Sequence, residues 1–331
     1  MHKRIDIHFL DVGHGDCTII DFPDHLTVID INNCKKLAFD SRAEIRHKHR
    51  PMVMPFSGQG PLMNVLYAEK YVKDAEDRLT DPLQYLQKHF AGRSIFRYIQ
   101  THPDMDHMAG IARLFNEWPV ENFWDTAHSI EKDEDGFKSA DVNFSKDDWH
   151  AYQDIRKGNR NQTVLRPTTG TQNIYYADDG IRIFAPFDHS YANDSNADPN
   201  ALSYVLLIQV EQCNILLGGD ATVETWDQLY KAFNGNMPKI HLLKASHHGR
   251  KSGYHREAVK SMNPDLTILS VGELKAKDDA EASYERYSNV GCYSTLDHGD
   301  LVATCWYDGD IWLRDSNGKE LKRTKSLAAG A

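Results

Sequence analysis

Short apolar runs with polar residues at alternate positions open the chain and predict β-strands. Residues 5–10 alternate in this way, and residues 17–21 and 26–31 form two further strand-like runs. A glycine-containing turn at residues 11–16 separates the first run from the second. The N-terminal region is therefore predicted to be a β-meander.

The remainder of the chain alternates helix-like and strand-like patterns. Residues 81–90 begin with Asp-Pro and carry apolar residues at helical spacing, which predicts a helix leading into a strand at residues 94–100. Strand-like runs follow at residues 180–186, 202–210, 213–220 and 240–249, with a hairpin-like stretch at 301–313. This alternation is typical of the α/β (α+β) class. No segment has the composition of a linker, so we expect one domain over residues 1–320 and a disordered tail at 321–331.

Two stretches lack this periodicity and are interpreted as insertions. Residues 32–71 are rich in basic residues, proline and glycine, which favours a solvated loop over a nucleic-acid clamp. Residues 129–172 are polar and turn-rich, with Trp149 and Tyr152 as isolated aromatic residues. The sequence leaves open whether this second insertion is a lid or a surface excursion.

The composition narrows the class of protein. The 331 residues are 40% hydrophobic and 26% charged, as in ordinary globular enzymes, and the formal net charge is −10. This acidity argues against a broad basic face for nucleic acid but not against a nuclease, because bound cations can supply the positive field. The five cysteines are scattered and suggest neither disulfides nor a cysteine zinc site. No run resembles a membrane span or a secretory signal, so we expect a cytoplasmic protein without membrane contact.

The main candidate for chemistry lies directly after the predicted strand at residues 94–100. His102, Asp104, Asp106 and His107 place two imidazoles and two carboxylates within six positions. This donor set suits zinc, manganese or iron, and a loop at a strand end can direct such side chains toward one point. The alternative is that Asp106 merely caps a helix beginning near residue 108.

Two later strand-like runs also end in candidate ligands. Asp220 follows the run at residues 213–217, and His247 and His248 follow the run that begins at residue 240. Because α/β folds gather functional residues at strand ends, we expect these side chains to meet the residues of the 102–107 loop. The sequence thus predicts a metal centre assembled from distant segments.

Taken in order, the motifs resemble the metallo-β-lactamase fold superfamily, and most closely its ComEC-like branch, named after the hydrolase domain of a bacterial DNA-uptake protein. The matching segments are residues 10–16, 28–30, 101–110, 200–206, 216–220 and 244–249, which span most of the chain. The resemblance implies an αββα four-layer sandwich with a binuclear metal site at one edge. It also implies two divalent metal ions, zinc or manganese.

The resemblance further implies a role for each candidate ligand. His102 and Asp104 would bind one ion, Asp106 and His107 the other, and Asp220 would bridge the two. His248 would complete the second site, while His247 would contact substrate or act as general acid, although the roles of these two histidines could be exchanged. Asp30 would hydrogen-bond the motif loop and orient it without touching metal.

Other residues are expected around the cleft. In two places the chain has lost an imidazole of the superfamily pattern: Asp104 replaces one histidine, and the region of Asn200 and Ser203 replaces another. The first ion site should therefore be harder and more open, which favours manganese. His14 and Asp16 would lie at the cleft rim or serve only the turn. Lys244 would stabilise a departing oxygen or be merely a solvated strand-end residue.

The expected chemistry is metal-assisted hydrolysis. Two cations roughly 3.5–4 Å apart hold a hydroxide between them and clamp the oxygens of a phosphodiester, with Asp106 and Asp220 balancing charge and His247 handling a proton. The leading hypothesis is a phosphodiesterase or nuclease acting on DNA or RNA. The alternatives are hydrolysis of a small phosphoester, cyclic nucleotide, thioester or lactone, or a metal-binding subunit without turnover that contacts a protein encoded nearby.

Overall fold

The structure is a computed structural model that describes residues 4–37, 39–49, 61–139, 142–171, 174–272 and 274–324. Its strands are β1 (Arg4–Phe9), β2 (Thr18–Asp21), β3 (Leu26–Ile29), β4 (Ile95–Ile99), β5 (Val120–Trp124), β6 (Lys138–Ser139), β7 (Val142–Asn143), β8 (Thr163–Leu165), β9 (Ile181–Ala185), β10 (Val205–Val210), β11 (Cys213–Leu217), β12 (Leu242–Lys244), β13 (Leu266–Leu269), β14 (Gly291–Ser294), β15 (Leu301–Trp306), β16 (Ile311–Asp315) and β17 (Glu320–Arg323). Its helices are α1 (Phe39–Lys48), α2 (Pro61–Glu76), α3 (Pro82–Phe90), α4 (Ile111–Glu117), α5 (Lys146–Arg156), α6 (Ile174–Ala177), α7 (Val223–Ala232), α8 (Arg256–Met262), α9 (Glu281–Glu285) and α10 (Thr295–His298).

The strands form two large mixed sheets. The first has nine strands in the order β17-β16-β15-β1-β2-β3-β4-β5-β8, and the second has six in the order β14-β13-β12-β11-β10-β9. Within the first sheet β3, β4, β5 and β8 run parallel, and within the second β11 to β14 run parallel. Each parallel block brings the carboxyl ends of its strands to one edge, where loops can supply functional residues.

Successive side chains along each strand point to opposite faces of the sheet, and each face packs in its own apolar layer. Along β10, Leu206 and Ile208 enter the core between the sheets, while Val205 and Leu207 point to the opposite face. Both faces of these strands are buried, which is why the sequence shows near-continuous apolar runs rather than a polar alternation.

Helices cover the outer face of each sheet. Residues of α3, α4 and α5 pack on the first sheet, and residues of α7, α8 and α9 pack on the second. The order of layers is therefore helix, sheet, sheet, helix. The predicted αββα sandwich is confirmed.

The described parts of the two insertions are more regular than the sequence suggested. The first contains α1 and α2, which bury Ile45 and Val72 against Leu37, so the described part of this insertion is helical and not a solvated loop. Residues 50–60 lie outside the described residues. In the second, α5 buries Trp149 and Tyr152 against the first sheet. These aromatic residues are three positions apart on one helical face, so they are not isolated.

The end of the chain also differs from the prediction. Strand β17 pairs with β16 through Trp312 and Arg323, and Arg323 Nε donates to Asp310 at 2.8 Å. Regular structure therefore continues past residue 320, because the polar side chains of β17 suit an exposed edge strand. The rest of the predicted tail, residues 325–331, lies outside the described residues.

Among the described helices, none combines the length and apolar character needed to cross a bilayer.

Truncating Ile208 tests the core between the sheets. Ile208 is fully buried there, so Ile208→Ala should lower the free energy of unfolding by about 2–5 kcal/mol in urea denaturation. The neighbouring Gln209 is exposed on the same strand, and Gln209→Ala should change it by less than about 0.5 kcal/mol. Equal effects of the two substitutions would contradict this placement.

Candidate metal centre

The loop that follows β4 is held in shape by a buried glutamine. Gln100 Nε2 donates to the carbonyl oxygens of His102 at 2.9 Å and His107 at 3.0 Å. These two bonds tie the beginning of the loop to its end, where residues 105–107 form a short helical turn. The side chains of the motif are thereby held on one compact turn.

The structure excludes the capping alternative for Asp106. Helix α4 begins at Ile111, and its N-cap residue is Gly110, which has a left-handed backbone with φ of 98°. The Asp106 side chain instead lies near His248, with 3.7 Å between Asp106 Oδ2 and His248 Nε2.

A second buried carboxylate, Asp30, orients the loop from the end of β3. Asp30 Oδ1 accepts the Thr101 backbone N–H at 2.7 Å, and Asp30 Oδ2 accepts the Thr101 hydroxyl at 2.6 Å. Asp30 Oδ2 also lies 2.8 Å from His107 Nδ1. This contact fixes the His107 ring so that Nε2 faces the centre, as outer carboxylates do for metal-binding histidines.

The centre itself is a triangle of ligand atoms from both sheets. His107 Nε2 lies 3.3 Å from His248 Nε2 and 3.3 Å from Asp220 Oδ2, and His248 Nε2 lies 3.2 Å from Asp220 Oδ2. Asp106 Oδ2 adds a fourth atom beside His248. Asp106 belongs to a group with His14 and His248, whereas the group that contains His107, Asp220 and His248 has Asp16 as its fourth member. Each group combines imidazole and carboxylate, which are donors for a divalent cation.

The two adjacent histidines point in different directions. His248 Nδ1 lies 2.9 Å from the Ser270 carbonyl oxygen, which turns Nε2 inward, and the ring is almost fully buried. His247 is partly exposed; its Nδ1 lies 2.9 Å from Ser252 Oγ and its Nε2 is 3.9 Å from Asp220 Oδ2. The geometry therefore favours His248 as the ligand and leaves His247 at the rim.

His14 and Asp16 lie closer to the centre than a rim position implies. His14, Asp106 and His248 form a second group whose ligand atoms lie within 4.8 Å of one another. The intervening Gly15 is required, because a Cβ there would lie 2.4 Å from the Asp106 carbonyl oxygen. The Gly-His-Gly-Asp turn was the sequence signal for this close approach.

Asp16 supports the histidines from behind. Its Oδ2 is 3.9 Å from His107 Nδ1 and its Oδ1 is 4.0 Å from His248 Nδ1, the ring atoms that face away from the centre. It also forms a buried ion pair with Lys244. Lys244 is only 3% exposed, so its interpretation as a solvated strand-end residue was wrong. One oxygen of Asp16 lies within 4.8 Å of ligand atoms of His107, Asp220 and His248, while its Oδ2 is engaged by Lys244.

The His102 ring packs against the His107 ring, with centroids 4.2 Å apart, but the ligand atoms of His102 and Asp104 do not join the cluster. His102 Nε2 lies 3.5 Å from Asp104 Oδ2, and among the described residues the two belong to no group of three ligand atoms. Asp104 instead forms an ion pair with Lys132 from the loop after β5. Sequence reasoning missed Lys132, because a single lysine in a charged stretch carries no local signal.

Ser203 and Asn200, which were expected to replace a histidine of the superfamily pattern, make different contacts. Ser203 is fully buried, and its Oγ accepts the Asp220 backbone N–H at 3.1 Å, which helps to fix that carboxylate. Asn200 lies in the preceding turn, Pro199–Leu202, and is half-buried. Its backbone N–H donates to Asp198 at 3.0 Å.

The electrostatics of the centre favour positive charge. Burial alone would lower the pKa of His248, but Asp220, Asp106 and Asp16 raise it to about 10. The pKa of His107 is raised as well, because Asp220 and Asp30 outweigh its burial. The pKa values of Asp106 and Asp220 are lowered, since the neighbouring histidines outweigh desolvation. Such a field would equally favour a divalent cation.

Unpaired buried atoms provide a direct test of whether a metal fits. Within the described residues, His102 Nε2, Asp220 Oδ1 and Asp16 Oδ1 are buried and accept or donate no hydrogen bond. Buried polar atoms are normally paired, so unpaired atoms on His102, Asp220 and Asp16 are consistent with ligand bonds to a bound cation. Imidazole nitrogen and carboxylate oxygen suit zinc and manganese.

The known proteins to which the chain is similar come from solved structures. No family model matches the chain, and no curated protein matches it. It is similar to the metallo-beta-lactamase fold protein YhfI from Bacillus subtilis, at 8% identity over 90% of this chain and 98% of that chain, with a TM-score of 0.42. It is also similar to yeast PDE1, at 14% identity over 89% and 98% with a TM-score of 0.44. A third is Igni18, a metallo hydrolase from Ignicoccus hospitalis, at 12% identity over 90% and 98% with a TM-score of 0.41.

Replacing Asp30 tests the support behind His107. Asp30 has a positive φ of 56°, which asparagine tolerates, so Asp30→Asn should preserve the backbone while weakening the contact to His107. We expect about a 10–100-fold loss of Zn²⁺ affinity, measured by competition with a chromophoric chelator. Unchanged affinity in a variant with unchanged circular dichroism would contradict this orienting role.

Proposed function

We propose that this chain is a metal-dependent hydrolase of the metallo-β-lactamase superfamily, of the ComEC-like branch, that cleaves phosphodiester bonds in DNA or RNA. The observation that carries the proposal is the convergence of His107 Nε2, His248 Nε2 and Asp220 Oδ2 within 3.3 Å of one another. The motif order along the chain supports the branch. The cytoplasmic location stays a prediction from the sequence.

In this proposal some residues bind the cation and others orient the side chains that bind it. His107, His248, Asp106 and Asp220 hold a divalent cation, zinc or manganese, and Asp30 and Ser270 fix the rings of the two histidines. The bound cation supplies Lewis acidity and an activated water. His247, at the partly exposed rim, contacts the substrate or serves as general acid. This chemistry requires no serine or cysteine nucleophile.

Basic side chains flank the centre and support an anionic substrate. Arg250 Nη2 donates to His14 Nε2 at 3.0 Å, and its buried Nε has no partner among the described residues. On the side of His102, Lys132 approaches Asp104. A phosphodiester anion would therefore meet positive charge at the centre even though the whole chain is acidic.

Loss of the centre tests the hydrolase proposal. Chelation, or the double substitution Asp106→Ala/His107→Ala, should abolish cleavage of plasmid and oligonucleotides in the presence of Mn²⁺ or Zn²⁺, because both remove the bound cation. The matched control is Asp188→Ala/His189→Ala, which changes an exposed Asp-His pair and should retain cleavage. Turnover confined to small phosphoesters, thioesters or lactones would shift the assignment to the small-molecule alternative.

Arg250 tests the charge of the substrate. Arg250→Gln should lower kcat/KM for the anion bis(4-nitrophenyl) phosphate and leave hydrolysis of a neutral 4-nitrophenyl ester unaffected, because only the anion gains from the guanidinium. Arg256→Gln, which changes an exposed arginine on α8, is the control. Equal losses on both substrates would indicate that Arg250 supports the fold of the site instead.

A further inference from the structure

Lys132 enters the site from a loop that the metal motif does not include. Its ammonium group forms an ion pair with Asp104, and its side chain is 18% exposed. His102 Nε2 lies on the other side of Asp104, 3.5 Å from Asp104 Oδ2. The three side chains therefore form a group of their own beside the cation-binding cluster.

A buried polar network fixes the loop that carries Lys132. Asp125, at the end of β5, accepts the Tyr152 hydroxyl at 2.6 Å and Arg156 Nε at 2.9 Å. His128 Nε2 lies 2.7 Å from the Tyr152 hydroxyl oxygen, and Arg156 Nη2 donates to the His128 carbonyl at 3.0 Å. Helix α5 thus holds the loop four residues before Lys132.

An apolar contact fixes the same loop from the opposite side. Ile130 is buried against Ala197 and Leu202, in the segment that leads to Ser203. Lys132 is two positions after Ile130, so the lysine is anchored close to its backbone. Its approach to Asp104 is a consequence of packing rather than of a freely moving surface chain.

The residues at this position supply only two ligands of their own for a second cation. Catalytic zinc sites use three protein ligands, so an ion beside His102 and Asp104 would also need Asp220 as a shared ligand. Within the described residues, the ligand atoms of His102 and Asp104 form no compact group with a third ligand atom while Lys132 is paired with Asp104. An ammonium group at the same carboxylate also repels a divalent cation. The residues therefore do not fit the second ion that the sequence resemblance implied.

We propose that Lys132 takes the place of the second metal ion, so that the protein binds one divalent cation and uses the Lys132 ammonium group as the second positive charge beside the substrate. This inference rests on the proposed hydrolase function. A lysine is a compact point charge with three donors, and one can remain on Asp104 while another reaches a phosphoryl oxygen. Lys132 is thus a positioning residue for an anionic substrate.

Metal stoichiometry tests the proposal without relying on turnover. Chelator-treated protein is titrated with Mn²⁺ and with Zn²⁺ by calorimetry, and bound metal is counted by mass spectrometry after dialysis. The wild type should bind one ion per chain. Lys132→Met removes the charge and frees Asp104, so it should bind two, with His102, Asp104 and the bridging Asp220 as ligands of the added ion.

Three variants complete the design. Lys132→Arg keeps the charge and should bind one ion, and adding Asp104→Asn to Lys132→Met should abolish the second ion. Lys231→Met removes an exposed lysine paired with Asp227 and should leave the count at one. Two ions in the wild type, or one in Lys132→Met, would overturn the inference. No ion in either protein would instead overturn the proposed hydrolase function.

Discussion

The candidate metal centre depends on the carboxylate of Asp30, which is not itself one of the candidate ligands. Asp30 is almost fully buried and accepts hydrogen bonds from the Thr101 backbone, the Thr101 hydroxyl and Gln100, while it also contacts His107 Nδ1. A buried carboxylate is stable only when its oxygens are satisfied in this way. Because these partners lie on the loop after β4, satisfying Asp30 also fixes that loop and directs the His107 ring.

Charge balance is the second constraint. Asp16, Asp104, Asp106 and Asp220 surround a small volume at the edge of the sandwich, and two lysines neutralise two of them: Lys244 pairs with Asp16, and Lys132 pairs with Asp104. The remaining two, Asp106 and Asp220, are the carboxylates that lie against His248 Nε2. A single divalent cation at that point would balance them, which is why the distribution of lysines and the number of ions are linked.

The sequence predicted the features that depend on local pattern. Buried strands leave near-continuous apolar runs, so Asp220 and His248 could be placed at strand ends and expected near the 102–107 loop. Contacts between loops produce no comparable pattern in the sequence. The approach of Lys132 to Asp104 depends on the hydrogen bond between Tyr152 and Asp125, and no sequence pattern links these two positions. The spacing of Trp149, Tyr152 and Ile155 on α5 is helical and could have been recognised.

The position of the centre also connects metal binding to the fold. His107 follows a strand of the first sheet, whereas Asp220 and His248 follow neighbouring strands of the second. A cation held by all three therefore cross-links the two sheets at their shared edge, where the apolar core between them ends. Binding to the folded state alone stabilises it by mass action, so the free energy of metal binding adds to that of folding. Much of the apolar core lies on β1, β10 and β15, strands that carry none of the proposed ligands. A bound cation would thus order the ligand-bearing edge of a sandwich that the core already holds together.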